Sequence, residues 1–168
     1  MRIISGKYKN RELKSPNSDK THPMGERERL AIFNILGDLT GKTVLDLFAG
    51  TGALGLEALS RGAARATFVE KDYKALECLK QNLKNIDNAK ILKQNAHQLD
   101  IKEKYDLIFI DPPYDKFPND ISQFKKYLND NGTLIISSPE PLNNTSRKYA
   151  NCYITLASGP SKRIPDRK

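Results

Sequence analysis

Between residues 43 and 60 an apolar run, TVLDLF, meets the loop Gly50-Thr51-Gly52-Ala53-Leu54-Gly55, and a helix-like stretch, ALGLEALSRG, follows at once. Strand, glycine turn and helix in that order constrain the fold more than anything else in the chain. Glycines at these spacings permit a tight turn and close approach of backbone to a bound group, and the helix start presents free N–H groups. Twenty residues past Gly50 a second strand ends at Glu70, placed to accept hydrogen bonds from ribose hydroxyls. The pattern admits a dinucleotide or another adenosine cofactor.

The rest of the chain repeats the alternation. RATFVEK reads as a strand, DYKALECLKQNLKNI as a helix opened by Asp72, and AKILKQN and YDLIFID as strands. A helix around DISQFKKYLNDN, the strand GTLIISS and a last strand, CYITLA, complete the series. Short strands separated by helices predict an α/β domain with a parallel sheet and helices on both faces. Ahead of it, RIISGKYKNRELKSP predicts two short strands in a basic hairpin, and GERERLAIFNILGDL a helix with Leu30, Phe33, Ile35, Leu36 and Leu39 at near-helical spacing. There is no internal repeat and no interdomain linker, so the expected organisation is one domain: a hairpin arm over residues 1–24, a core over 25–157 and a flexible basic tail over 158–168.

Two features favour S-adenosylmethionine over NAD. Asp46 lies inside the strand ahead of the loop, where a carboxylate can meet the ammonium of a methionine moiety but would repel a pyrophosphate. A dehydrogenase would also usually need a second domain, for which 168 residues leave no room. Asn95, ending the third strand, can hydrogen-bond an adenine ring or simply form a turn.

The strand DLIFID runs into Pro112, Pro113 and Tyr114. Proline lacks an N–H and fixes φ, so the strand stops there and its end is stiff. A nucleobase amino group is a poor nucleophile because its lone pair is delocalised into the ring. Two acceptors, the Asp111 carboxylate and the Pro112 carbonyl, can turn that nitrogen toward tetrahedral geometry, and stiffness limits reorganisation during reaction. Tyr114 can stack on a base drawn out of its helix or loop, and Asp111 can take the proton released. The alternative is a rigid turn closing a strand.

The net charge is +8 and its ends are basic: Arg2, Lys7, Lys9, Arg11, Lys14 and Lys20 at the start, Arg147, Lys148, Lys162, Arg163, Arg167 and Lys168 at the finish. A lysine-rich soluble surface would account for the total; the clustering suggests an arm and a tail that meet a phosphate backbone. No apolar run approaches a membrane span and the start does not have the form of a signal peptide. Cys78 and Cys152 stand apart with no metal-ligand spacing, so they read as free thiols in a reducing cytoplasm, with no metal. His97 reads as a polar residue near a loop.

Taken together, VLDLFAGTGALGLEALSRGA, FVEKD, DLIFIDPPY and the opening MRIISGKYKNRELKSP resemble the bacterial RsmD family, from Met1 to about Ala157. The resemblance implies a class I methyltransferase (Rossmann-like) fold and S-adenosylmethionine as donor. The implied substrate is the 2-amino group of a guanine in 16S ribosomal RNA, presented in an assembled or assembling small subunit. It implies cofactor contacts at Asp46, Phe48, Ala49, Gly50, Gly52, Glu70, Lys71, Asn95 and Ala96, catalytic roles for Asp111, Pro112 and Tyr114, and RNA contacts at Arg2, Lys7, Lys9 and Arg11. Where the family commonly has Thr-Arg-Pro-Thr, this chain has Thr21-His22-Pro23-Met24. The stretch between LIISS and CYITLA is also short, which puts a full sixth strand in question, and SKRIPDRK extends past the usual end. The expected protein is a cytoplasmic monomer that partners ribosomal RNA. A DNA adenine amino-methyltransferase and a non-catalytic RNA-binding assembly protein are the competing expectations.

Overall fold

In a computed structural model, residues 1–16, 24–149 and 152–159 are described. Seven strands form one sheet: β1 Thr43–Leu47, β2 Arg65–Glu70, β3 Ala89–Lys93, β4 Tyr105–Ile110, β5 Leu128–Ser138, β6 Arg147–Tyr149 and β7 Cys152–Ser158, in the order β3-β2-β1-β4-β5-β7-β6. β1 to β5 run parallel, while β7 is antiparallel to β5 and β6 to β7. The expected parallel sheet thus carries an antiparallel edge, and the sixth strand exists but has only three residues. The order reverses at β1, between β2 and β4, so the crevice beyond the carboxyl ends of β1 and β4 is the switch point where ligands of open α/β sheets bind.

The helices are α1 Glu26–Leu36, α2 Ala53–Ser60 and α3 Tyr73–Asn82. Asp72 caps α3, its side chain accepting from the Ala75 N–H at 2.9 Å. The expectation of helices on both faces does not hold. Val44, Ala66, Phe68, Leu107, Phe109 and Ile135 pack with side chains of all three helices. On the opposite face Leu45, Leu47, Val69, Ile108, Ile110, Leu134 and Ile136 meet only irregular connections, through Ala96, Leu99, Phe124 and Tyr127. The helix expected around DISQFKKYLNDN is instead a 3-10 turn over Ser122–Tyr127, after which Leu128 already enters β5. Ile121, Phe124 and Tyr127 recur every third residue, a period that keeps one stripe in register on a 3-10 turn but not on an α-helix. Tyr127 locks the turn by donating its hydroxyl to the Leu99 carbonyl.

The N-terminal segment is a hairpin closed by a single bridge, Arg2 to Glu12, rather than a pair of strands. It does not hang free. Ile3 and Leu13 are buried, and the Glu57 carboxylate accepts from the N–H groups of Ile4 and Ser5 at 2.7 and 3.0 Å. Of the apolar residues expected here, Phe33 and Leu39 are buried and Leu36 packs against the core, but Leu30 is 42% exposed while Arg29 and Ile32 point inward. Arg29 is held inside because its guanidinium donates to the Arg2 carbonyl at 2.7 Å and faces Glu57. Burial still lowers its pKa, against the opposing pull of Glu57, Glu26 and Glu28. Lys20, the Thr21-His22-Pro23 departure and the tail cations Lys162, Arg163, Arg167 and Lys168 lie outside the described residues. Among the described residues no helix is long and apolar enough to cross a membrane.

Candidate active site

β1 delivers the backbone into a run of left-handed residues: Phe48 at φ 61°, Gly50 at 55° and Gly52 at 81°. A non-glycine residue there is strained and needs holding. The Phe48 ring is wedged edge-on against His97 at 5.4 Å and Phe124 at 6.1 Å between centroids. At Gly52 a Cβ would stand 2.5 Å from Leu79 Cδ1, and at Gly55 2.4 Å from the Phe68 ring. Bare glycine at 55 lets α2 sit close enough for its N–H to reach Asp46 Oδ2 at 2.9 Å. The loop is further tied by Asn82, which donates to the Thr51 carbonyl at 2.9 Å.

Glu70 ends β2 beside this loop. Its Oε2 accepts from the Gly50 N–H at 2.8 Å, and Oε1 accepts from the N–H groups of Lys71 and Asp72 at 2.7 and 2.8 Å. A carboxylate offers about four acceptor positions. Three are used to fix its orientation, and the one left, on Oε2, is available to a ribose hydroxyl. Lys71 itself is exposed. At the end of β3, Asn95 caps a 3-10 turn by accepting from the His97 N–H, which leaves its amide hydrogens to donate; Ala96 is buried beneath. The turn and ligand readings of Asn95 are therefore compatible.

Asp111 follows β4 directly, half-buried, with Pro112 buried behind it and Tyr114 42% exposed above. Burial pushes the Asp111 carboxyl up to about 6, against a hydrogen bond from Ser137 that pulls it down. Asp46 is raised well above the ordinary range by burial, with the Gly55 N–H opposing and the negative charges of Asp111 and Glu70 adding to the rise. Two acids so placed, with only another acid between them and the ribose position, form a site that a positively charged ligand would relieve.

The structure brings Asp46, Phe48, Ala49, Gly50, Gly52, Glu70, Asn95 and Asp111 to one edge of the sheet. It does not bring the basic hairpin there. The turn of that hairpin docks at the other end of α2, with the Lys7 N–H donating to the Ser60 carbonyl at 2.8 Å. Lys7 and Lys9 project into solvent, Arg2 pairs with Glu26 at 3.3 Å, and Arg11 donates to the Lys84 carbonyl at 2.9 Å. Sequence reading missed Ser137 and Cys152, which face Asp111 and Tyr114. The polar pair closing LIISS was the available signal, since β5 is the parallel neighbour of β4.

A β3-β2-β1-β4-β5-β7-β6 sheet with a glycine loop after β1, an acid at the end of β2 and Asp-Pro-Pro-Tyr after β4 defines a class I methyltransferase. The family described as Conserved hypothetical protein 95 matches residues 1–154. The chain belongs to this family, the RsmD family. It is 37% identical over 140 residues to Ribosomal RNA small subunit methyltransferase D of Escherichia coli K12, covering 80% of this chain and 69% of that one. The solved yhhF protein of Escherichia coli matches with a TM-score of 0.82 at 29% identity, over 96% of this chain and 99% of that one. An RNA methyltransferase from Salinibacter ruber, solved with S-adenosyl-L-homocysteine, shares the fold at a TM-score of 0.69 and 14% identity, over 86% of this chain and 98% of that one.

Proposed function

We propose that the protein methylates the exocyclic 2-amino group of a guanine in small-subunit ribosomal RNA, with S-adenosylmethionine as donor. The observation that carries the reading is the pair of acids at the switch point, Asp46 and Asp111, both held above the ordinary carboxylate range by burial. The residues present fit that donor. Asp46 would meet its ammonium, the Gly50–Gly52 backbone would take the methionine portion, Glu70 Oε2 would accept from a ribose hydroxyl, and Asn95 with Ala96 would border the adenine. When bound, S-adenosylmethionine supplies an electrophilic methyl group on a cationic sulfur.

The protein's own work is done by Asp111, Pro112 and Tyr114. Carboxylate and carbonyl each accept one N–H of the target amine, which draws its lone pair out of conjugation and aims it. As the N–C bond would form, the methyl–sulfur bond would break, its electron pair leaving on the sulfur as a neutral thioether. One N–H proton would become acidic, and Asp111, a weak base, would accept it. Tyr114, standing out from the surface, provides a stacking face for the base. Lys7 and Lys9 give sequence-independent attraction to RNA from the far end of α2. The protein acts as a monomer in the cytoplasm on an assembled or assembling subunit. Single-turnover transfer of labelled methyl to small-subunit particles, naked ribosomal RNA and duplex DNA tests the reading. Label is expected in guanine of the particles; label confined to DNA adenine, or no transfer to any of the three, would overturn it.

A further inference from the structure

Three polar side chains of the site converge on one hydroxyl outside the motifs described so far. β4 and β5 are in register with Ile110 opposite Ile136, which sets Asp111 beside Ser137 one step on. The Tyr114 hydroxyl lies 3.5 Å from Ser137 Oγ, and the Asp111 carboxyl and the Cys152 thiol stand beside the same side chain, close enough for it to affect their ionisation. Ser137 is 1% exposed, so water does not stand in for these partners. A serine hydroxyl has one proton to give and two lone pairs to share. An ionised Asp111 can only accept, so it receives that proton. The lone pairs are left for the O–H of Tyr114 and the S–H of Cys152, two groups that also lie against each other. Burial supports these protonation states, raising Tyr114 to about 12 and lifting Cys152, so both remain donors near neutrality.

We propose that Ser137 is the positioning residue of the site, a buried hub whose hydroxyl holds the Asp111 carboxylate in its reactive charge state and tethers Tyr114 over the base. The proposal rests on the amine-clamp reading of Asp111. It gives the Tyr114 hydroxyl a purpose that stacking alone does not require, and it joins β4, β5 and β7 at the reacting edge. The titratable groups facing Asp111 from the surrounding elements are Asp46 of β1, Tyr114 of its own loop and Cys152 of β7, with Glu28 of α1 acting on Cys152. None is a cation, so the Ser137 hydroxyl is the group here that favours the charged carboxylate.

The test is a carbon-13 carboxyl titration of Asp111 in the ligand-free protein, run beside the pH dependence of single-turnover transfer. The parent midpoint is expected near 6. In Ser137→Ala it should rise by about one unit, the scale of a lost hydrogen bond to a charge. The acidic limb of the rate should move with it, and KM for RNA should rise at least about threefold as Tyr114 loses its tether. Ser137→Thr, which keeps the hydroxyl, should restore the midpoint. Should the alanine variant fail to fold, Ser137→Cys, similar in volume and a weaker donor, carries the same test with a smaller upward shift. An unmoved Asp111 midpoint in a folded alanine or cysteine variant overturns the hub. A midpoint that moves while the rate limb stays put upholds the hub and overturns the clamp instead.

Discussion

If Asp111 aligns the amine and accepts its proton, the reaction must follow its ionisation. A carboxyl pushed up to about 6 is about nine-tenths charged at pH 7, half charged at pH 6 and about one-tenth charged at pH 5. kcat/KM for S-adenosylmethionine, which reports the free enzyme, should fall along an acidic limb centred near 6. In the ternary complex a cationic sulfur beside the reacting amine would favour the charged form of the Asp111 carboxylate, so the limb of kcat should lie lower. Asp111→Ala should reduce single-turnover transfer at least about a hundredfold, the scale of a lost positioned acid–base or electrostatic group, while cofactor affinity changes by no more than a few fold. Asp111→Asn keeps an acceptor for the amine but loses the charge, so its rate should fall between the two and lose the limb near 6. The assay is methyl transfer to small-subunit particles between pH 5 and 8, with calorimetry for the cofactor. Near-parent rates in Asp111→Ala, or an acidic limb that survives in Asp111→Asn, would refute the reasoning.

Glu70→Ala should weaken S-adenosylmethionine binding by about 1.5–3 kcal/mol, roughly ten- to a hundredfold, because the ribose acceptor and the brace on the Gly50 N–H go together; calorimetry measures it. Glu57→Ala removes the acceptor of the Ile4 and Ser5 N–H groups and the 2.7 Å partner of Arg61, stranding that cation and the buried Arg29. It should destabilise by about 3–5 kcal/mol, read by urea unfolding, with early loss of amide protection at Ile4 and Ser5. Replacing Lys7 and Lys9 by alanine should lower the salt slope of RNA binding by about 1.4–1.8, near 0.7–0.9 per phosphate contact, without changing which base is methylated. An unchanged slope in filter-binding titrations would make the hairpin turn a solvated surface only.

The parts of this molecule that were legible in the sequence are those where a short local pattern fixes geometry. The apolar run before Gly50, the cap at Asp72 and the proline stop after Asp111 each act within a few residues, and each stands where its pattern put it. What escaped depends on partners far away in sequence. Arg29 takes an inward position on α1 by reaching the carbonyl of Arg2, twenty-seven positions earlier, so the apolar spacing that marked Phe33, Leu36 and Leu39 could not show that Arg29 is buried and Leu30 exposed. The segment Ser122–Tyr127 carries its apolar residues at every third position, which over so few residues is easily taken for an α-helical stripe, and Phe124 packing against Phe48 belongs to the 3-10 form. Ser137 gave only the weak signal of a polar pair at a strand end, which carries no chemistry until the register of β5 against β4 is known.

The same contrast bears on the N-terminal hairpin, whose basic composition suggested an arm reaching for RNA. Its backbone is instead part of the scaffold beneath the cofactor loop. Asn82, at the end of α3, accepts from the Lys14 N–H at 2.8 Å and donates to the carbonyls of Lys14 and Thr51, both at 2.9 Å. One buried amide therefore joins the segment leaving the hairpin to the loop between Gly50 and Gly52. Glu57 does the same further down α2, binding hairpin amides with the charge that also faces Arg29 of α1. A loop with three left-handed residues, flanked by two acids raised by burial, stores strain and unfavourable charge, and such a site persists only when its surroundings over-determine it. The hairpin supplies part of that determination, and its lysines extend from a body already fixed to the core. The lysines proposed to attract RNA and the residues that brace the glycine loop thus share one element, so substitutions of hairpin side chains should separate into two groups: Lys7 and Lys9 acting through salt-dependent binding, Ile3 and Leu13 acting through the stability of the loop itself.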